Sequence, residues 1–505
     1  MKKIDSPEMM SDYLHDESKR SGTADRIYFP QSEEDVIEIL RSQKEQPVTT
    51  QGARTGLTAG CVPEGGIVIS TARLDQIVDA DYSGDAPSVT VQPGVILQKL
   101  RAGLKRHSLF FSPDPTEATA SLGGMTSCNS SGALSYRYGA VRSHVAAIDV
   151  VLADGDKLHL ERGAAQQRAR DGEFSLITEG GREICGRLPD IKMPRVKKHT
   201  AGYFIHPDMD MIDLFIGSEG TLGIITAIKL RLQRLPRHTW GAVAFFNDEQ
   251  KALRFVRSLR SGVQKGLPAE AIEFFGADAL QMLKEAQGSG EALNDVSTLP
   301  AQANCAVYTE YISDHRDELL ETFHSLADTI ETAGGDPACS WGAVTERDLA
   351  RLKDFRHAAP TCVNARIALT RKDYPQITKL GTDMSVPDDR LLDVFRLYRS
   401  GLAEEGFRSA TFGHIGNNHL HVNIMPRNME EYRRGHELYT RWARQIVAMG
   451  GSVSAEHGIG KLKVWLLREL YSEEELMSML HLKDLFDPRR RLNRGNIFGD
   501  LIEKR

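Results

Sequence analysis

The chain has 505 residues, with 63 Lys and Arg set against 69 Asp and Glu, a formal net charge of −6, and 41% hydrophobic residues. Charges of both signs are interspersed, which excludes a nucleic-acid surface as the reading of composition, and no apolar run nears the length of a membrane span, the longest candidates being pieces such as Val145 to Ala153. A soft prior of roughly 150 residues per domain suggests about three domains. The first residues, MKKIDSPEMMSDYLHDESK, have two lysines but no apolar stretch behind them, so they read as neither a signal peptide nor a transit sequence. A cytoplasmic protein is expected, with peripheral attachment to the inner face of a membrane left open. Cysteines at 61, 128, 185, 305, 339 and 362 form no CxxC pair, which suits reduced structural thiols better than disulfides, zinc knuckles or an iron–sulfur cluster.

In chain order, Ser32-Glu33-Glu34-Asp35 resembles a capping box, and Val36, Ile37 and Leu40 continue at helical spacing to about Gln43. Val48 to Thr50 reads as a strand running into QGARTGLTAGC. There Gly52, Gly56 and Gly60 recur every fourth residue, so the backbone around Ala53, Arg54, Thr55 and Leu57 can approach a ligand and aim N–H groups at phosphate oxygens. This is neither a GxGxxG fingerprint nor a Walker A loop. Val89 to Val91 reads as a strand and Val95 to Leu104 as a helix. Residues 113 to 139, PDPTEATASLGGMTSCNSSGALSYRYG, combine small residues and hydroxyls, which suits a loop wrapped around a cofactor better than a packed helix.

Val145 to Ala153 and Leu158 to Leu160 predict a hairpin, with Asp154-Gly155 fitting a type I′ turn. A glycine-rich turn at Gly217-Ser218-Glu219-Gly220-Thr221 precedes a strand from Ile224 to Leu232, and RLPRH at 234 to 238 marks a boundary. Beyond it the apolar pattern predicts strands Trp240 to Phe246, Ala271 to Phe275 and Ala306 to Tyr311, alternating with helices Asp248 to Leu259, Ala277 to Ala286 and Arg316 to Thr332. Residues 287 to 303 are polar and glycine-containing, and predict a mobile loop. Residues 349 to 360, LARLKDFRHAAP, predict a helix with Arg356 near its end, a guanidinium suited to bidentate capture of a carboxylate.

FGHIGNNHLHVNIMP, 412 to 426, sets His414, His419, His421 and Asn423 within ten positions. In an extended strand His419, His421 and Asn423 share one face and Leu420, Val422 and Ile424 the other. His414 can fold back toward His421 across Gly416-Asn417-Asn418. Downstream, GGSVSAEHGIGK brings Glu456 and His457 into adjacent positions. Two imidazoles and a carboxylate make a common first-row metal site with open positions for water or substrate.

Residues 412 to 423 and 450 to 461 resemble the paired GHxGDGNxHxN and EHGIG signatures of the FAD-linked D-2-hydroxy acid dehydrogenases, within the vanillyl-alcohol oxidase and p-cresol methylhydroxylase flavoprotein superfamily. Asn417, Asn418 and His419 replace the usual Asp-Gly-Asn. Residues 113 to 139 resemble the family run PDPGSxxxxTIGGxxAxNAGGxxxxRYG, with Thr116 and Ser131 as substitutions. VVLADG, the stretch IGSEGTLGIITAIKLRL and the terminal LFDPRRRLNRGNIF are further marks, so the resemblance covers nearly all of residues 28 to 498.

The resemblance implies an α+β fold, with a two-part FAD-binding domain of the p-cresol methylhydroxylase type and a ferredoxin-like antiparallel cap. The expected division is 1–235, then 236–450 for the cap, then 451–505 returning to the FAD domain. It implies FAD held by Gly52, Ala53, Arg54, Thr55, Gly56, Leu57, Pro113, Asp114, Gly123, Gly124, Ser127, Asn129, Gly132, Tyr138, Gly139, Glu219, Gly220, Gly223, Ile224 and Asn493. The FAD is expected to be non-covalent, because the 51–61 loop has no histidine. Carried over, His414, His421 and Glu456 ligate a divalent metal, zinc or manganese, His457 is the base, and Arg356 holds the substrate acid group. Gly381, in KLGTDMSVP, stands where D-2-hydroxyglutarate dehydrogenases have lysine, which disfavours a dicarboxylic substrate; Lys379 could partly compensate. The expected activity is oxidation of a small D-2-hydroxy acid such as D-lactate, with electrons passed to a separate acceptor: a quinone, an electron-transfer flavoprotein, a cytochrome or an iron–sulfur protein. A homodimer is left open. The alternatives are a non-redox flavin transferase of the alkyl-dihydroxyacetonephosphate synthase type and an FAD-carrying electron-transfer subunit.

Overall fold

Ser32 caps the helix Glu33–Ser42, its hydroxyl accepting a hydrogen bond from the Asp35 N–H at 3.2 Å, as the capping pattern predicts. The computed structural model to which this helix belongs describes residues 2–262, 266–288 and 296–503. The helix packs Val36, Ile39 and Leu40 against a small sheet in which Arg26–Phe29, Ile67–Ser70 and Val48–Gln51 run parallel and Lys2–Ile4 adds an antiparallel edge. A second sheet is antiparallel, in the order Ile77–Asp81, Ser88–Val91, Ile224–Arg231, Val145–Val151, Lys157–Glu161.

The hairpin expected around Asp154-Gly155 forms, but with a different turn. Only Gly155 has positive φ (79°), and its N–H donates to Leu152 O at 2.9 Å, so the connection needs one left-handed residue and not the two of a type I′ turn.

The run 113 to 139 is also less loop-like than its composition suggests. It contains the helices Leu122–Ser127, capped by Ser121, and Ser135–Tyr138. Its small residues serve close packing: a Cβ on Gly123 would overlap the Pro93 ring, and one on Gly132 would overlap Asp114 O.

After Arg234 the chain builds one antiparallel sheet in the order Trp341–Ala343, His238–Phe246, Cys305–Ser313, Ala271–Phe275, Ser409–Gly413, His419–Ile424, Leu380–Gly381, with Met384–Ser385 also paired to His419–Ile424. Alternation along His238–Phe246 sends Trp240, Ala242, Ala244 and Phe246 to one face, where helices Glu249–Arg260 and Arg316–Thr332 cover them. Val243 and Phe245 go to the other face, under Ala277–Gly288 and Glu346–Asp373. The separate sheets and their helices make an α+β fold, as expected.

The helix carrying Arg356 is longer than expected. It runs Glu346–Asp373 straight through Pro360, because Cys362, Val363 and Ile367 beyond the proline bury in the same core as Phe355 and Ala359. Arg356 therefore sits well inside the helix. Of the loop expected at 287 to 303, residues 289–295 lie outside the described residues.

The end of the chain lies against the N-terminal domain. Val48 N–H donates to Arg491 O, Asn493 N–H donates to Val48 O, each at 2.8 Å, and Asn493 Oδ1 accepts from Thr50 N–H at 2.8 Å. No helix among the described residues is long and apolar enough to cross a membrane.

Candidate active site

The strand His419–Ile424 alternates as its sequence predicts, and its neighbour Ser409–Gly413 pairs in turn with Ala271–Phe275. Between the two strands the chain turns through Ile415–Asn417, and Asn418 adopts the left-handed conformation (φ 53°). Asn418 occupies the glycine position of the family pattern; asparagine tolerates that conformation better than most residues, and its side chain is held by Arg260 and, at 2.8 Å, by Asp388. The turn folds His414 back over the strand, as expected from the Gly416-Asn417-Asn418 sequence.

His414, His421 and Glu456 meet. His414 Nδ1 donates to Glu273 Oε1 at 2.6 Å, and His421 Nδ1 donates to Thr382 O at 2.8 Å. Each ring thus presents the lone pair of Nε2, and both nitrogens face Glu456 Oε1, at 3.1 and 3.2 Å. Three acceptors aimed at one point repel unless a proton or a cation lies among them. The donor set of two imidazoles and one carboxylate suits a divalent first-row ion, with outer partners already fixing the rings. Ligand atoms of His414, His419, His421 and Glu456 lie within 4.8 Å of one another, and Asp383, His421 and His457 form an overlapping group.

Charge is concentrated here. Burial opposes ionisation of Glu456, but the Lys198 ammonium beside it outweighs burial and holds the carboxyl well below its usual range; Glu273 is lowered against burial chiefly by His414. Burial pushes His419 down to about 3, so it stays neutral. Its Nε2 lies 3.2 Å from Asp383 Oδ1 without forming a well-aligned hydrogen bond, and Asn417 Oδ1 is also buried without a partner among the described residues.

The residue that organises the Glu456-His457 turn is Asp383, which is fully buried. It accepts from the N–H groups of Glu456 (3.1 Å) and His457 (3.0 Å), from Ser454 Oγ and from Lys463 Nζ. His457 Nδ1 lies 3.6 Å from Asp383 Oδ2, the ring stacks on His421 at 5.3 Å, and burial pushes its pKa down to about 4, leaving a neutral imidazole.

Arg356 is 7% exposed and makes no hydrogen bond among the described residues. Its nearest carboxylates, Asp114 and Glu273, are each 3.9 Å away. Held by ion pairs rather than hydrogen bonds, the guanidinium keeps N–H donors for a further acceptor. Lys379, by contrast, donates to Asn364 at 3.2 Å, and Gly381 packs against Asn423.

Hydrogen bonds join several of the segments expected to touch FAD. Ala53 N–H donates to Ser121 Oγ, Glu219 N–H to Ser127 O, and Asn493 Nδ2 to Glu219 O. The Glu219 side chain clamps the other signature, accepting from the N–H groups of Ile459 (2.6 Å) and Gly460 (2.8 Å). Asn129 and Ile224 are buried; Gly124 approaches Ser121, Gly139 approaches Ser143, and Gly220 lies against Asn493. Gly223 has no room for a Cβ beside Val150. Arg101 binds Pro113 O and Asp114, and Tyr138 packs edge-on against Phe110. Arg54 lies over the Tyr13 ring, while Gly56 and Leu57 are exposed. At the entrance to this loop Thr50 Oγ1, Gln51 Oε1 and Ser70 Oγ are buried without partners among the described residues, which fits a bound polar group such as a nucleotide.

Sequence reasoning missed Glu273, Lys198 and Asp383 as site residues. Asp383 stood in the quoted run KLGTDMSVP; the other two had no local signal.

Residues 24–161 match the FAD binding domain family, and residues 235–497 match the family of FAD linked oxidases, C-terminal domain. Among curated relatives, a probable mitochondrial D-lactate dehydrogenase of Danio rerio is 31% identical over 94% of this chain and 84% of its own length. The glycolate oxidase subunit GlcD of Bacillus subtilis is 27% identical, covering 95% and 90%, and a D-2-hydroxyglutarate dehydrogenase of Stutzerimonas stutzeri is 27% identical, covering 94% and 90%. A solved alkyldihydroxyacetonephosphate synthase shares the fold, with a TM-score of 0.62 and 15% identity over 97% of this chain and 81% of that one. The chain therefore belongs to the FAD-linked oxidase family, as an FAD-linked oxidoreductase with an FAD-binding domain ahead of the family's C-terminal domain.

Proposed function

We propose that this protein oxidises a small D-2-hydroxy acid, D-lactate-like, to the 2-oxo acid and passes the electrons to a separate acceptor. The observation that carries the reading is the convergence of His414 Nε2, His421 Nε2 and Glu456 Oε1, with Glu273 joining that cluster to the unbonded Arg356. The named activities of the D-lactate, glycolate and D-2-hydroxyglutarate relatives agree with it.

His414, His421 and Glu456 hold a divalent cation, zinc or manganese, which supplies Lewis acidity toward the substrate hydroxyl. FAD, bound without a covalent link, supplies the hydride acceptor that no side chain can. Arg356 takes the substrate carboxylate with donors that make no hydrogen bond among the described residues, and so fixes how C2 is presented. His457 accepts the hydroxyl proton at Nε2, Asp383 holding the ring from the Nδ1 side. Gly381 stands where the D-2-hydroxyglutarate dehydrogenases have lysine, which disfavours a substrate with a second carboxylate.

Anaerobic mixing with a panel of D- and L-2-hydroxy acids tests this. The flavin bleaches with D-lactate or a near homologue and not with the L-enantiomer. A flavin that stays yellow with every acid contradicts the reading and favours a non-redox transferase or an electron-transfer subunit.

A further inference from the structure

We propose that Ser131 is a positioning residue which, with Lys198, limits Glu456 to a single metal-facing oxygen and ties the flavin-facing loop to the cation site. The inference rests on the cation reading above and adds to it Ser131, a substitution within the family run.

Ser131 lies between Asn129 and Gly132 and is 3% exposed. Its hydroxyl donates to Glu456 Oε2 at 2.6 Å and to nothing else among the described residues. Lys198 Nζ donates to the same oxygen at 2.9 Å and to Gly132 O at 3.3 Å. Lys198 is itself anchored, its carbonyl accepting from Ser385 Oγ at 2.7 Å. Two short donors occupy Oε2 and restrain the carboxylate from rotating, so Oε1 remains toward His414 and His421. A glycine in place of Ser131 would leave Lys198 as the lone orienting donor. A hydrogen bond to the oxygen a ligand does not use is the outer-partner contact that tunes metal affinity.

The test is Zn²⁺ affinity of the FAD-loaded protein, by competition with a chelating dye, for wild type, Ser131→Ala, Ser131→Gly and Ser131→Thr. Ser131→Ala and Ser131→Gly weaken Zn²⁺ binding about tenfold, and Ser131→Thr, which keeps the hydroxyl, stays near wild type; losing such a partner costs ~10–100-fold. FAD content stays unchanged in the three variants. Affinities of the folded Ala and Gly variants within about twofold of wild type overturn the role of Ser131. A wild-type protein that takes up no Zn²⁺ overturns the cation reading instead, and this inference with it.

Discussion

Glu273 and His414 meet carboxylate to imidazole, 2.6 Å from Oε1 to Nδ1, although they stand 141 residues apart in sequence. The contact exists because Phe274 pairs with Gly413, placing the strand Ala271–Phe275 beside the start of the histidine turn. Glu273 thereby fixes the tautomer of one ring while its other oxygen faces Arg356. In the proposed reaction the hydroxyl and the carboxylate of a 2-hydroxy acid would address groups that share one glutamate.

His457→Ala is expected to retain FAD and metal and to lose about 10²–10⁴-fold in kcat, the range for a general base. Stopped-flow flavin reduction in the variant, beside its absorbance at 450 nm, separates lost chemistry from lost cofactor. Reduction at the wild-type rate would remove His457 from the proton-transfer step.

Arg356→Lys keeps a charge between Asp114 and Glu273 but loses the fork. A charge-assisted hydrogen bond contributes ~1.5–3 kcal/mol, so kcat/KM for a 2-hydroxy acid falls about 10–100-fold, mainly through KM. Steady-state kinetics check this, and a KM unchanged from wild type would place the acid group elsewhere.

Gly381→Lys tests substrate choice. The added side chain enters beside Asn423 and brings an ammonium to that position, so the ratio of kcat/KM for D-2-hydroxyglutarate over D-lactate rises about tenfold, roughly 1.4 kcal/mol. No change in the ratio would mean that position 381 does not face the substrate's far end.

Stability has its own ionic centre. Asp213 is buried among Arg142 and Arg162, at 3.2 and 2.7 Å; burial opposes its charge, but the two guanidinium groups outweigh it and hold its pKa below the ordinary value. A depressed carboxylate contributes stability above its unfolded pKa of about 3.9, and loses it as pH falls through the folded value. Asp213→Asn leaves two half-buried arginines underpaired and costs ~3 kcal/mol at pH 7. Urea melts of both proteins at pH 7 and at decreasing pH check the sign: the gap between them narrows only below about pH 4.

The sequence is most informative where the physics is local. The alternation of His419 to Ile424, the cap at Ser32 and the helix Arg316–Thr332 each depend on neighbours in the chain, and each appears as read. Local rules fail in two places for tertiary reasons. Pro360 ends a helix by propensity, yet burial of Val363 and Ile367 carries the helix on to Asp373. The small residues of 113 to 139 read as a loop, yet they let helix Leu122–Ser127 press against Pro93. Glu273 and Lys198 could not be assigned because their partners arrive by strand pairing and by a crossing segment, contacts that leave no mark on nearby sequence.

The central claim is that a cation sits among His414, His421 and Glu456. Elemental analysis of the purified, FAD-loaded protein tests it most directly, with His421→Ala measured alongside. About one equivalent of zinc or manganese per chain is expected in the wild type, the common stoichiometry of such a site, and next to none in His421→Ala at unchanged FAD content. A wild-type protein that is metal-free and fully able to reduce its flavin with a 2-hydroxy acid would contradict the account.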